Sequence, residues 1–179
     1  MTRALLIIDV QQGLCEGERR AYDAPNVIAR IDTIAGQARR AGTPVILIQH
    51  ESPSGVLAAD TPGWQVAQGL RTDEGDIRIR KTTPDAFHRT DLEAVLRRLG
   101  ATELVICGMH TEFCVDTTTR RALALGYPVI LVADGHTTAG NGVLTPVQII
   151  AHHNETLTHI ASFGPRARAV SSEVLKFGT

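Results

Sequence analysis

Leu104-Val-Ile-Cys-Gly-Met-His-Thr-Glu-Phe-Cys-Val-Asp-Thr-Thr118 carries a buried strand, a turn and a helix start in one run. Leu104 to Cys107 is a short, continuously apolar segment, Gly108 allows the turn, and a helix opens on Cys114. A thiol at such a junction meets the unpaired N–H groups and positive dipole end of the helix. That setting favours an anion and is expected to lower the thiol pKa, as a nucleophilic cysteine requires. Strand, turn and helix are therefore expected here, with covalent chemistry at the turn.

Outward from this stretch the same unit recurs. In Arg39-Arg-Ala-Gly-Thr-Pro-Val-Ile-Leu-Ile48, Arg97-Arg-Leu-Gly-Ala-Thr-Glu-Leu-Val-Ile106 and Leu123-Ala-Leu-Gly-Tyr-Pro-Val-Ile-Leu-Val132, a helix ends at a glycine and a strand follows. Gly42, Gly100 and Gly126 suit the left-handed position after a helix, and Pro44 and Pro128 cannot continue one. Strands are predicted at Ala4–Ile8, Val45–Ile48, Leu104–Cys107 and Val129–Val132, with a weaker one at Asp76–Arg80 and an edge strand at Val170. The four strong candidates are apolar throughout rather than alternating, the pattern of strands covered on both faces. Helices are predicted over Asn26–Ala41, Asp91–Leu99, Phe113–Leu125 and Pro146–Ile160. The pattern predicts one α/β domain over 1–179: a parallel, Rossmann-like sheet of about six strands with helices on both faces.

Composition limits the function classes. A net charge of −1 with scattered Lys and Arg leaves no footprint for nucleic acid. No apolar run approaches the ~20 residues of a membrane span, and Ala4 to Ile8 is too short for a signal peptide, so a cytoplasmic location is expected. Three cysteines argue against a disulfide framework. Cys107 reads as a core residue and Cys15 as an incidental thiol in a polar loop.

In an open α/β sheet ligands bind beyond the carboxyl ends of the strands, where strand order reverses. The residues just past the predicted strands are Asp9 and Gln11, His50, Lys81, His110 to Cys114, and Asp134 with His136. Cys114 would attack a carbonyl-like carbon, Asp9 would carry its proton, and Lys81 would stabilise the thiolate. Backbone N–H groups around His110 and Cys114 would form an oxyanion hole.

These residues resemble the cysteine hydrolases of the isochorismatase-like superfamily. The matching motifs are Leu6-Ile-Ile-Asp-Val-Gln11, Lys81 followed by Ala86-Phe87, Gly108-Met-His-Thr-Glu-Phe-Cys-Val115 and Ala133-Asp134, in the family's order. The resemblance implies a parallel sheet of about six strands, an Asp9–Lys81–Cys114 triad and a cis peptide at Met109–His110. It also implies hydrolysis of a C–N bond in a small amide, carbamoyl or cyclic amide, and a homo-oligomer, dimer or tetramer. Two other readings stand beside this one: an isochorismatase-type ether hydrolase, and a non-catalytic domain binding a small ligand or a protein.

Nicotinamidases, which the chain also resembles, carry an Asp-x-His metal motif where this chain has Ile48-Gln49-His50, and 51–75 supplies no second histidine. No metal and no cofactor are expected. His50 reads as a pocket residue or a loop anchor, Trp64 as a platform for a flat substrate or as loop packing, and Phe113 as site lining or core. Gln11 and His136 complete the expected pocket. His152, His153 and His159 read as surface or interface residues, and Gly135–Gly142 as a loop over the site or an interface element.

Overall fold

A computed structural model describes residues 1–178. Six strands make one parallel sheet: β1 (Arg3–Ile8), β2 (Val45–His50), β3 (Ile77–Lys81), β4 (Glu103–Met109), β5 (Val129–Thr137) and β6 (Ala167–Val170). Their order is β3-β2-β1-β4-β5-β6. The chain starts mid-sheet, builds outward to β3, then crosses back to lay β4 against the other side of β1. The reversal of strand order thus falls between β1 and β4, and Asp9 and Cys114 follow those two strands.

The helices are α1 (Gln12–Cys15), α2 (Ala24–Arg40), α3 (Leu92–Arg98), α4 (Asp116–Ala124) and α5 (Pro146–Thr158). Side-chain alternation along β1 explains its unbroken apolar run. Ala4, Leu6 and Ile8 pack with Leu92, Leu96, Ala122, Leu123 and Leu157 from α3, α4 and α5. Leu5 and Ile7 point the other way, into Val27, Ile31, Ile34 and Ala38 of α2. Each such Leu or Ile contributes about 1.5–3 kcal/mol by leaving water. Gly42, Gly100 and Gly126 take the positive φ expected after α2, α3 and α4. No described helix is long and apolar enough to cross a membrane.

The structure differs from the sequence expectations where tertiary pairing overrides local signals. β5 was expected to stop at Val132 but continues to Thr137. Its register against β4 shifts between Ile106 and Gly108, after which His136 pairs with Gly108 and Thr137 with Met109. Residues 135–137 of the expected Gly135–Gly142 loop are therefore strand. The helix expected over Phe113–Leu125 begins as a wide turn, Thr111–Val115, and continues as α4. Cys15 ends α1 rather than lying in a polar loop, and its Sγ meets Met109 Sδ at 3.6 Å.

Candidate active site

β3 is an edge strand, and its Ile-Arg-Ile-Arg-Lys sequence alternates between faces. Arg78 and Arg80 face solvent, while Lys81 shares the inward face with Ile77 and Ile79. The Lys81 side chain is consequently 0% exposed. Its Nζ donates to Asp9 Oδ2 at 2.7 Å, the Thr83 carbonyl at 3.1 Å and Cys114 Sγ at 3.2 Å, and lies 3.3 Å from His50 Nδ1. Asp9 reaches it from a left-handed turn, φ 51°, immediately after β1. The Asp9 N–H donates to the Ile48 carbonyl, which locks this turn to β2.

Gly108 makes the same crossing possible from the other side. It pairs with Ile8 and has φ +123°, and a Cβ there would sit 2.0 Å from the Ile8 carbonyl oxygen. Only glycine lets β4 pass this close to the strand end that delivers Asp9. The Met109–His110 peptide bond that follows is cis, as the resemblance implied. The His110 carbonyl accepts the N–H groups of both Phe113 and Val115, closing the wide turn that carries Cys114.

The Cys114 thiol is pushed up to about 12, primarily by burial and then by the Asp9 charge, with Lys81 pulling the other way. The lowered thiol pKa expected from the helix start does not hold here. Burial outweighs the dipole, and the sulfur keeps its proton near neutrality. Chemistry at this sulfur then requires an acceptor for that proton, and Asp9 is the adjacent base. Asp9 Oδ1 has no hydrogen-bond partner among the described residues. Cys15 is likewise raised to about 12 by burial and by Glu16, and burial raises the fully enclosed Cys107.

One donor atom each from Asp9, His50 and Cys114 falls within 4.8 Å of the others, a spacing that suits a metal ion. The Lys81 ammonium contacts all three residues. A cation built into the chain therefore supplies the positive charge at this point. Burial and the neighbouring Lys81 lower the His50 pKa, so the imidazole is neutral and its Nδ1 lone pair faces the ammonium.

The remaining residues of the expected pocket divide. Gln11 is 0% exposed and acts as a clamp: its Nε2 donates to the His50 and Trp64 carbonyls, and its Oε1 accepts the His50 N–H. Trp64 is half-buried with the Arg80 guanidinium 5.0 Å from its ring centroid. Phe113 is 54% exposed beside Cys114. His136 is buried beneath the turn, against Thr111 and Asn154. Asp134 ties down the C-terminal segment by accepting from the Ser172 N–H and hydroxyl.

A cleft of about 750 Å³ adjoins the turn, lined by His110 together with Leu14, Arg19, Arg20, Gly140 and Leu144. Arg19, Arg20, Leu144 and Pro146 gave no sign of this in the sequence, whereas residues 139–142 belong to the loop expected over the site or at an interface. Glu112 also escaped notice; its Oε1 accepts from the Thr138 hydroxyl at 2.9 Å. His110 Nε2 and Glu112 Oε2 are buried without partners among the described residues. Burial lowers the His110 pKa against the pull of Glu112 and Asp9.

Known proteins share this arrangement of sequence and fold. A family model described as the isochorismatase domain matches residues 3–144. Streptothricin hydrolase of Streptomyces noursei is 38% identical over 137 residues, which are 76% of this chain and 50% of that protein. The chain thus spans about half the length of that relative. Ureidoacrylate amidohydrolase of Methylobacterium radiotolerans is 28% identical over 199 residues, covering 90% of this chain and 74% of that one. The crystal structure of an isochorismatase from Pseudomonas putida KT2440 superimposes with a TM-score of 0.88 at 30% identity, covering 97% of this chain and 90% of that one.

Proposed function

The chain belongs to the isochorismatase family, and we propose that it is a cysteine-dependent hydrolase that cleaves a C–N bond in a small amide, carbamoyl compound or cyclic amide. The observation that carries this reading is the buried ammonium of Lys81, in contact with both Asp9 Oδ2 and the Cys114 sulfur. A binding module has no use for a base, a cation and a thiol enclosed together at a strand-order reversal. The relatives named for streptothricin and ureidoacrylate hydrolysis support amide chemistry in general and leave the substrate open.

In this reading Asp9 removes the Cys114 proton as the sulfur attacks the carbonyl carbon. Transfer concerted with attack suits a thiol whose resting pKa is high. Lys81 stabilises the negative charge on sulfur as it develops. Backbone N–H groups of the turn, with that of Cys114 foremost, stabilise the oxyanion. Asp9 then passes the proton to the departing nitrogen, the C–N bond breaks, and a thioester remains on Cys114. Water adds to the thioester with Asp9 taking its proton, the C–S bond breaks as Asp9 returns that proton to the Cys114 sulfur, and the acid leaves. Exposed Val143, Leu144 and Val147 support the expectation of a homo-oligomer, which light scattering would test.

Ammonia or amine release from a panel of primary amides and ureido compounds, and ring opening of lactams to the free amino acid, with Cys114→Ala as control, tests the reading. Turnover of at least one member that disappears in Cys114→Ala is expected. Turnover unaffected by the substitution would end the covalent reading.

A further inference from the structure

Two hydrogen bonds run from α5 to the Cys114 turn through His136, and a third fixes the Asn154 amide that begins the chain. Asn154 Nδ2 donates to the Ala133 carbonyl at 3.0 Å, which places its Oδ1 toward His136 Nε2, also at 3.0 Å. A carbonyl only accepts, so the Asn154 orientation is determined, and Oδ1 must receive a proton from Nε2. Burial pushes the His136 pKa down to about 4, against the Asn154 bond and the Asp134 charge, so the ring carries one proton near neutrality. Nδ1 is then bare, and the Thr111 hydroxyl 2.9 Å away donates to it. Thr111 is the first residue of the turn that holds Cys114, and both Thr111 and His136 are almost wholly buried.

We propose that His136 is a positioning residue, whose Nδ1 acceptor anchors the Thr111 hydroxyl and thereby holds the Cys114 turn in its reactive place. The register shift in β5 is what brings this side chain into position, since it sets His136 opposite Gly108. A second tie from the same strand end, Thr138 to Glu112, grips the next residue of the turn. Thr111 and Glu112 are thus both fastened to β5, leaving Cys114 at the free side that faces Lys81. The proposal rests on Cys114 being the nucleophile.

Two substitutions at one position separate positioning from packing. Asn in place of His136 keeps an acceptor near the Nδ1 position, whereas Gln keeps a polar group near Nε2 and leaves Thr111 without one. His136→Asn is expected to keep kcat close to wild type. His136→Gln should lose roughly 10- to 100-fold in kcat with little change in KM, the scale of a small misplacement of a reacting group. Thr111→Val should match His136→Gln, Thr111→Ser should restore activity, and the Val and Gln changes combined should cost no more than either alone. Two readouts need no substrate. Nitrogen NMR should find the Nε2–H tautomer of His136 at neutral pH, and the pH profile of Cys114 alkylation should move in His136→Gln but not in His136→Asn. Activity that tracks melting temperature equally in both variants would overturn the proposal, as would an Nδ1–H tautomer. Turnover that survives Cys114→Ala would instead remove the nucleophile reading, with the tautomer result standing apart from it.

Discussion

Lys81 Nζ lies 2.7 Å from Asp9 Oδ2, with the two side chains 0% and 1% exposed. Opposite charges this deeply enclosed are costly to separate. Taking away one leaves the other buried and uncompensated, whereas removing both leaves only a packing defect. Such a pair is weak evidence for stability as such; its position at a strand-order reversal beside a thiol is what supports the proposed chemistry.

Lys81→Met should therefore destabilise the fold by about 3–5 kcal/mol, as measured by urea unfolding, and abolish turnover. The double substitution Asp9→Asn with Lys81→Met should recover much of that stability and none of the activity. Additive losses would show that the two groups are not energetically paired.

Alkylation and turnover should come apart at Asp9. The Asp9 charge helps hold the Cys114 proton in place, so Asp9→Asn, in protein confirmed folded by circular dichroism, should alkylate faster at neutral pH than wild type. The same variant should show no hydrolysis, because the thiol has lost its proton acceptor. Wild-type alkylation should be slow at pH 7 and climb with pH toward about 12. A Cys114 that reacts like an ordinary surface thiol at pH 7 would contradict the burial effect.

Stability should fall at alkaline pH. Cys107 is fully buried and its folded-state pKa is raised by burial above the ordinary 9.0. The unfolded chain therefore releases this proton first as pH rises. The stabilisation is complete below pH 9 and declines above it, at about 1.4 kcal/mol per pH unit for this thiol. Cys107→Ala should flatten the slope by that amount in unfolding curves taken above pH 9. Glu103 works on the acid side: burial raises its pKa, but the bonds from Arg3 and Arg168 outweigh this and hold it low. Its contribution is present above the ordinary 4.5 and is lost as pH falls further. Glu103→Gln should make the acid limb of stability shallower.

Gly108→Ala should distort the turn that presents Asp9. The added methyl meets the Ile8 backbone at a φ that side chains rarely adopt. A loss of about 2 kcal/mol or more is expected, with activity falling further than the melting temperature alone explains. A variant of wild-type stability would show that β1 and β4 can part without cost.

The sheet was legible because its signals are local and repeated. Ala4–Ile8 and Leu104–Cys107 are apolar on both faces, and Gly42, Gly100 and Gly126 stop helices with a left-handed residue. The positions of Asp9, Lys81 and Cys114 were legible because each lies at or just beyond a strand end, and strand order then gathers them. Less visible was anything set by depth or by pairing after a register shift. The direction of the Cys114 pKa depends on how far the sulfur is enclosed, which spacing does not encode. His136 was expected in the pocket and instead lies buried beneath the turn against Thr111, because the β5 shift that places it leaves no periodic trace. Arg19 and Arg20 border the cleft only through the path of the connection between α1 and α2.

In the proposed mechanism Cys114 carries the acyl group during turnover. Mass spectrometry of the protein quenched in acid during steady-state hydrolysis of an active amide tests it most directly. An increase equal to the acyl portion of the substrate is expected, mapped to the peptide containing Cys114 and absent from Cys114→Ala. Full turnover with an unmodified Cys114 peptide, or an adduct on Cys15 alone, would contradict the account.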